Sequence, residues 1–140
     1  MQLIVIAHRG EAQEFIKNLH LKADESLVGL YTSKDVLLLI CGEGIYEVFT
    51  KLPYLFGRFN ITNVLNYGIA GALNKSLEIG QIFPIRTCYA HNELTPKFHS
   101  YTSQSKSAQY DCISTDQRVL TDKFAKLINP FAAIVDRELW

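Results

Sequence analysis

Two carboxylates stand where an α/β protein does its chemistry. Glu11 lies just past the first apolar stretch, residues 2–7, and Glu138 just past the last, residues 131–135. In open α/β sheets, ligands bind at the carboxyl ends of the strands. Each glutamate also has a plainer reading. Glu11 suits the first turn of a helix as a favourable charge, and Glu138 can pair with Arg137 or a nearby lysine. Gly68-Ile69-Ala70-Gly71 follows another apolar stretch, and its glycines permit positive φ and close approach of a ligand. These three features, all at predicted strand ends, converge on a ligand site.

Other chemistries lack their residues. Gly42-Glu43-Gly44 opens like a dinucleotide-binding turn, but Glu47 stands where the third glycine belongs. The strand-borne acid about 20 residues further on is also missing. The plain alternative is a tight strand-to-helix turn, whose backbone N–H groups can still face a ligand. His8, His20, His91 and His99 have no metal-ligand spacing among themselves or with the cysteines, so no metal and no cofactor is expected. No Gly-x-Ser-x-Gly elbow supports a serine hydrolase. Cys41, Cys88 and Cys112 are an odd number set inside apolar segments, which suits reduced, packed thiols in the cytoplasm.

The elements that must position these residues come from one domain's worth of chain. At 140 residues and 48% hydrophobic content the chain can bury one sizeable core. Fourteen basic residues balance fourteen acidic ones, so the basic excess of a nucleic-acid or anionic-membrane surface is absent. No apolar run approaches the roughly 18 residues of a membrane span, and the opening lacks the basic n-region of a signal peptide. Residues 2–7 read as a doubly buried strand, followed by a short helix carrying Phe15, Ile16 and Leu19. Residues 27–32 and 36–41 flank Ser33-Lys34-Asp35 as a hairpin. Residues 45–59 show a helical stripe interrupted by Pro53, which should kink the helix or delay its start. Residues 63–66 are a second buried strand, and 79–86 and 87–91 are nearly continuous strands. Residues 94–110, rich in Ser, Thr, Gln and Lys, read as a long surface loop that could move. A short strand at 111–114, a helix marked by Val119, Phe124, Leu127 and Ile128, and a last strand at 131–135 complete the order. Alternation of strands and helices predicts an α/β fold with a mixed, largely parallel central sheet flanked by helices.

These segments also carry a family resemblance. Ile4-Val5-Ile6-Ala7 followed by Glu11-Ala12 resembles the first strand and Glu-Ala turn of the nucleoside phosphorylase and nucleosidase family. That family includes purine nucleoside phosphorylases and methylthioadenosine/S-adenosylhomocysteine nucleosidase. Cys41-Gly42-Glu43-Gly44 resembles its Ser-Gly-x-Gly turn, and residues 66–73 its Asn-Thr-Gly-Ser-Ala-Gly-Gly-Leu segment. Residues 77–82 resemble the Leu-x-x-Gly-Asp-Ile/Val piece, Ser114-Thr115-Asp116 a Ser-Gly-Asp, and Val135-Asp136-Arg137-Glu138 a Val-Glu-Met-Glu. The pieces occur in the family's order across nearly the whole chain.

The resemblance implies cleavage of an N-glycosidic bond through a ribosyl oxocarbenium, attacked by water or phosphate. It makes Glu11 the group that activates the water and Glu138 the acceptor of the ribose hydroxyls. The backbone of Gly68, Ile69, Ala70 and Gly71 becomes the pocket floor. Departures from the pattern refine this. Ile69 and Asn66 replace a serine and an arginine that bind phosphate in phosphorylases, so water is favoured over phosphate unless Arg9 compensates. Arg118 stands where an aromatic residue stacks on the base, and a guanidinium also stacks. Arg137 replaces a methionine under the ribose. The family continues past the position of Trp140 to a loop aspartate that protonates the leaving base. The resemblance therefore covers the family's first two-thirds, as one domain lacking the C-terminal third, and turnover is expected to be slow or nil. The expected partner is a small-molecule nucleoside, with no nucleic acid and no membrane, and the chain is expected to form a homo-oligomer. A catalytically inactive nucleoside-binding module, a phosphorolytic enzyme of the same family and an unrelated interaction domain are the alternatives.

Overall fold

The computed structural model describes residues 1–92, 95–103 and 105–139. The chain forms two compact units, Met1–Ile69 and Ala70–Trp140. Among the described residues no helix is long and apolar enough to cross a membrane.

The first unit is built on β1 (Gln2–Ile6), which pairs in parallel with β4 (Val36–Ile40) on one side and β5 (Asn63–Asn66) on the other. The hairpin partner β3 (Leu30–Thr32) and the two-residue β2 (Lys22–Ala23) extend the sheet to the order β2-β3-β4-β1-β5. The hairpin forms where Ser33-Lys34-Asp35 predicts it, with Ser33 N–H donating to the Val36 carbonyl at 2.9 Å. Successive strand side chains point to opposite faces, and both faces are covered. Leu3, Val5, Leu37 and Leu39 pack with Val48 and Leu55 of α2 (Ile45–Arg58). Ile4, Ile6 and Leu38 pack with Ala12 of α1 (Arg9–Asn18) and with Leu21.

Pro53 lies inside α2, which begins at Ile45, so of the two expected effects of the proline a delayed start is not seen. A proline costs one backbone donor, and burial of Val48 and Leu55 on the sheet holds the helix across it. The 63–66 strand forms but is not buried. β5 is the sheet's edge, with Val64 50% and Leu65 41% exposed.

The second unit carries a sheet of order β6-β10-β9-β7-β8. These strands are β6 (Gly71–Ala72), β7 (Ile85–Asn92), β8 (Thr95–Thr102), β9 (Tyr110–Thr115) and β10 (Ile134–Asp136). The central pairs β7–β9 and β9–β10 are parallel, and the outer strands run antiparallel. Ile113 and Val135 meet Ile128 of α3 (Asp122–Ile128) and Ala132 in the core, with Val119 and Phe124 packed against them. The Thr121 hydroxyl caps α3 by accepting from Phe124 N–H at 3.3 Å.

The polar stretch 94–110 is not a loop throughout, because it contains β8. Threonine, tyrosine and phenylalanine suit strands, and an edge strand with one solvated face needs little apolar content. Leu94 and Gln104 of that stretch lie outside the described residues. The predicted strand at 79–86 is largely absent, and β7 starts at Ile85. Gly80 has φ +88 and Pro84 has no N–H for a ladder, and Ile82 is exposed. The α/β class and the mixed sheets are as predicted.

Candidate active site

β1 delivers the chain to α1, and Glu11 is the third residue of that helix. One carboxylate oxygen, Oε2, accepts the backbone N–H of His8 at 3.0 Å. That bond satisfies a donor at the helix start. The other oxygen, Oε1, accepts the backbone N–H of Ile69 at 2.8 Å. Glu11 thus closes the helix start, as its plainer reading has it, and it also reaches the Gly68–Ile69 segment past β5. A carboxylate has about four lone-pair sites, and the two backbone donors occupy only part of that capacity. Phe15 and Tyr67 meet edge to face at 5.0 Å beside this contact.

Gly68 and Gly71 adopt no positive φ; the left-handed glycines are Gly29, Gly42, Gly44 and Gly80. Close approach is the reason for glycine at Gly71, whereas Gly68 leaves room for a Cβ at ordinary contact distance. A Cβ on Gly68 would sit 3.5 Å from Glu11 Oε1, and one on Gly71 only 3.0 Å from Val135 Cγ1. Gly71 pairs with Val135 across β6 and β10. The side chain of Ile69 is exposed while its N–H is held by Glu11. Ala70, also exposed, opens the second unit.

In the second unit the parallel strands β9 and β10 end side by side, with Ser114 in register with Asp136. Arg137 follows, and its Nη2 donates to the Asp116 carbonyl at 3.1 Å. Thr115 Oγ1 donates to the Gln117 carbonyl at 2.7 Å. These bonds bring Arg137 and Glu138, on one chain segment, to the 116–118 segment that carries the exposed Arg118. The structure thus groups Glu11 with Gly68 and Ile69 in the first unit. It groups Gly71, Arg118, Arg137 and Glu138 at one strand end in the second.

The sequence reading passes over Asp136 and Ser114. The Ser114 hydroxyl donates to Asp136 Oδ1. Burial, reinforced by the Glu138 carboxylate, pushes the Asp136 carboxyl up from 3.8 to about 6, against the opposing pull of the Ser114 hydrogen bond. The signal lies in the Val-Asp-Arg-Glu segment, whose aspartate comes two residues before Glu138.

The cysteines are buried free thiols. Burial pushes Cys88 up to about 11 and Cys112 further still, so neither is a nucleophile at neutral pH. Gly42-Glu43-Gly44 is a tight turn with Gly42 at φ +97 and Gly44 at φ +95. Lys51 straps it by donating to the Cys41 carbonyl and to Glu47 Oε2, the latter at 2.9 Å. Among the described residues no cluster of three or more His, Cys, Asp or Glu is placed to hold a metal ion.

Residues 4–124 match the family model of the phosphorylase superfamily, and the chain belongs to that superfamily. Glu11, Gly68, Ile69, Ala70, Gly71 and Arg118 fall inside the matched span, while Arg137 and Glu138 lie beyond it. No curated protein matches the chain. Among solved structures it is similar to the futalosine hydrolase of Helicobacter pylori strain 26695, with a TM-score of 0.81 at 17% identity over 98% of this chain and 76% of that one. It is similar also to a putative 5′-methylthioadenosine/S-adenosylhomocysteine nucleosidase from Francisella philomiragia, with a TM-score of 0.78 at 13% identity over 98% and 75%. The corresponding Campylobacter jejuni nucleosidase gives 0.74 at 16% identity over 98% and 75%. At these identities the likeness is one of fold: the chain has a nucleosidase-type α/β fold.

Proposed function

We propose that this protein cleaves the N-glycosidic bond of a purine-type nucleoside with water. The observation that carries the reading is the engagement of Ile69. Its side chain has no hydroxyl, its backbone N–H is already given to Glu11, and a phosphate dianion there would face the Glu11 carboxylate. A dianion beside a carboxylate is costly to desolvate, whereas a neutral water is not. Arg9 is exposed at the start of α1, and phosphate-dependent release would be the sign that it compensates.

In this reading Glu11 accepts the proton that water loses as it attacks the anomeric carbon. Glu138 accepts hydrogen bonds from the ribose hydroxyls, each worth about 1.5–3 kcal/mol to a charged acceptor. The Gly68–Gly71 backbone lines the sugar, Arg118 stacks on the base, and Arg137 lies under the ribose. The hydrolase names of the fold relatives, futalosine hydrolase and methylthioadenosine/S-adenosylhomocysteine nucleosidase, support water as the nucleophile and a nucleoside as substrate. A homo-oligomer belongs to the same reading, supported by Tyr46 and Phe49 of α2, which are 83% and 62% exposed.

The test is release of free base from 5′-methylthioadenosine, adenosine and inosine, with and without phosphate. Phosphate-independent release that falls by about 10²–10⁴-fold in Glu11→Gln is expected. Release that requires phosphate would replace hydrolysis with phosphorolysis. Binding without release would leave a nucleoside-binding module.

A further inference from the structure

β10 is three residues long and ends at Asp136, and the chain turns out of the sheet at once. Asp136 holds that turn from three sides. Its carboxylate accepts the Ser114 hydroxyl from the neighbouring strand β9. The backbone N–H groups of Leu139 and Glu138 approach the same carboxylate and favour its charged form. Those two are donors that β10 leaves behind when it stops pairing, and they would otherwise need water. The Asp136 carbonyl takes Thr115 Oγ1 at 3.5 Å. One side chain therefore sets the backbone of the segment bearing Glu138, and it is itself oriented by a hydroxyl on another strand.

We propose that Asp136 is a positioning residue: oriented by Ser114, its carboxylate fixes the backbone at Glu138 and so places the Glu138 carboxylate for the sugar hydroxyls. The inference rests on the reading of Glu138 given above. It makes the ionised form of Asp136 the competent one, because only the carboxylate accepts all three donors at once. Among the described residues, the titratable groups facing Asp136 are Cys88 on β7, Cys112 on β9 and Glu138 on its own segment. Burial holds both thiols neutral at working pH. β6 contributes only Gly71 and Ala72. Glu138 is thus the one charge among them that acts on Asp136, and it raises the carboxyl in the same direction as burial. Placement of Glu138 should therefore loosen as the solution is acidified through about pH 6.

The experiment pairs two readouts on the full chain. One is amide hydrogen exchange at Glu138 and Leu139. The other is the affinity for 5′-methylthioadenosine from pH 5 to pH 8. Wild type is compared with Asp136→Asn, Ser114→Ala and Glu138→Gln. Asp136→Asn should speed exchange at the two amides, leave the amides of β9 protected, and weaken binding on the order of tenfold, the share of one charged hydrogen bond. It should also abolish the loss of affinity below about pH 6 seen in wild type. Ser114→Ala, the milder variant if Asp136→Asn folds poorly, should do the same in smaller measure. Unchanged exchange at Glu138 and Leu139 in both variants overturns the proposal. So does full affinity in Asp136→Asn when Glu138→Gln binds weakly, and that result leaves the Glu138 reading standing. Full affinity in Glu138→Gln removes the Glu138 reading itself and the positioning role with it.

Discussion

Glu11 accepts the backbone N–H of Ile69 at 2.8 Å, across 58 residues of sequence. The same carboxylate accepts the N–H of His8, three residues back. The group proposed to take a proton from water is therefore also a clasp between a helix start and the segment past an edge strand. A clasp made of two charge-assisted bonds is held more firmly than a neutral one, which fixes the carboxylate before any substrate arrives.

Removing the clasp should cost stability as well as activity. Glu11→Ala strips acceptors from two backbone donors, and we expect a loss of about 1–2 kcal/mol in urea unfolding. Glu11→Gln keeps one acceptor and presents an NH₂ to the other donor, so it should fall between Ala and wild type. An Ala variant as stable as wild type would mean that the two bonds contribute nothing net.

Gly71 should tolerate no side chain while Val135 is present. A Cβ there would lie 3.0 Å from Val135 Cγ1, and a β-branched neighbour has few rotamers to escape into. Gly71→Ala should destabilise by about 1–3 kcal/mol through overpacking. Adding Val135→Ala should return part of that loss, a coupling a double-mutant cycle reads directly. Strict additivity would remove the steric explanation.

Asp136 gives a stability signature with a definite sign. Its folded carboxyl titrates near 6 against 3.8 ordinarily, so between those values the folded protein binds the extra proton. Its contribution is fullest below about pH 4 and is lost as pH rises through about 6. A difference of that size corresponds to roughly 3 kcal/mol. The stability of wild type minus that of Asp136→Asn should therefore decline from pH 4 to pH 7, by up to that amount. A flat difference would show that the carboxyl is not perturbed.

The cysteines should be silent. Cys41, Cys88 and Cys112 are buried, and the two whose thiols burial pushes up are Cys88 and Cys112. A thiol-reactive disulfide reagent at pH 7.5 should titrate essentially none of them in the native protein and all three in denaturant. Rapid modification of one thiol under native conditions would place it in a far more open environment.

Much of the fold is legible in the chain because local signals and burial agree there. The hairpin around Ser33-Lys34-Asp35, the stripe of Val48 and Leu55, and the buried run of β1 each repeat at one level what the other requires. Legibility fails where strand pairing is decided by neighbours far along the chain. β8 has a loop's composition, and it becomes a strand because β7 offers it an edge. The apolar Ile79 and Ile82 suggest a strand that Gly80 and Pro84 do not permit. The site follows the same division. Glu11 and Glu138 stand out as charges at strand ends. Asp136 does not, because its importance comes from Ser114 on another strand and from backbone donors that no sequence pattern displays.

The centre of the first sheet has a consequence for how the chain encodes its alignment. Leu37, Leu38 and Leu39 are identical and all fully buried, the outer two facing α2 and the middle one facing α1. Sliding this triplet by one position would exchange leucine for leucine, so hydrophobicity within the triplet cannot distinguish right from wrong pairing. The instruction must reside at its borders, in the Ser33–Val36 bond of the hairpin and in the Gly42 turn strapped by Lys51. A single residue inserted among 33–35 is then a frameshift in three dimensions. It leaves the composition of the core intact and misaligns everything attached to it, including the helix start where Glu11 sits.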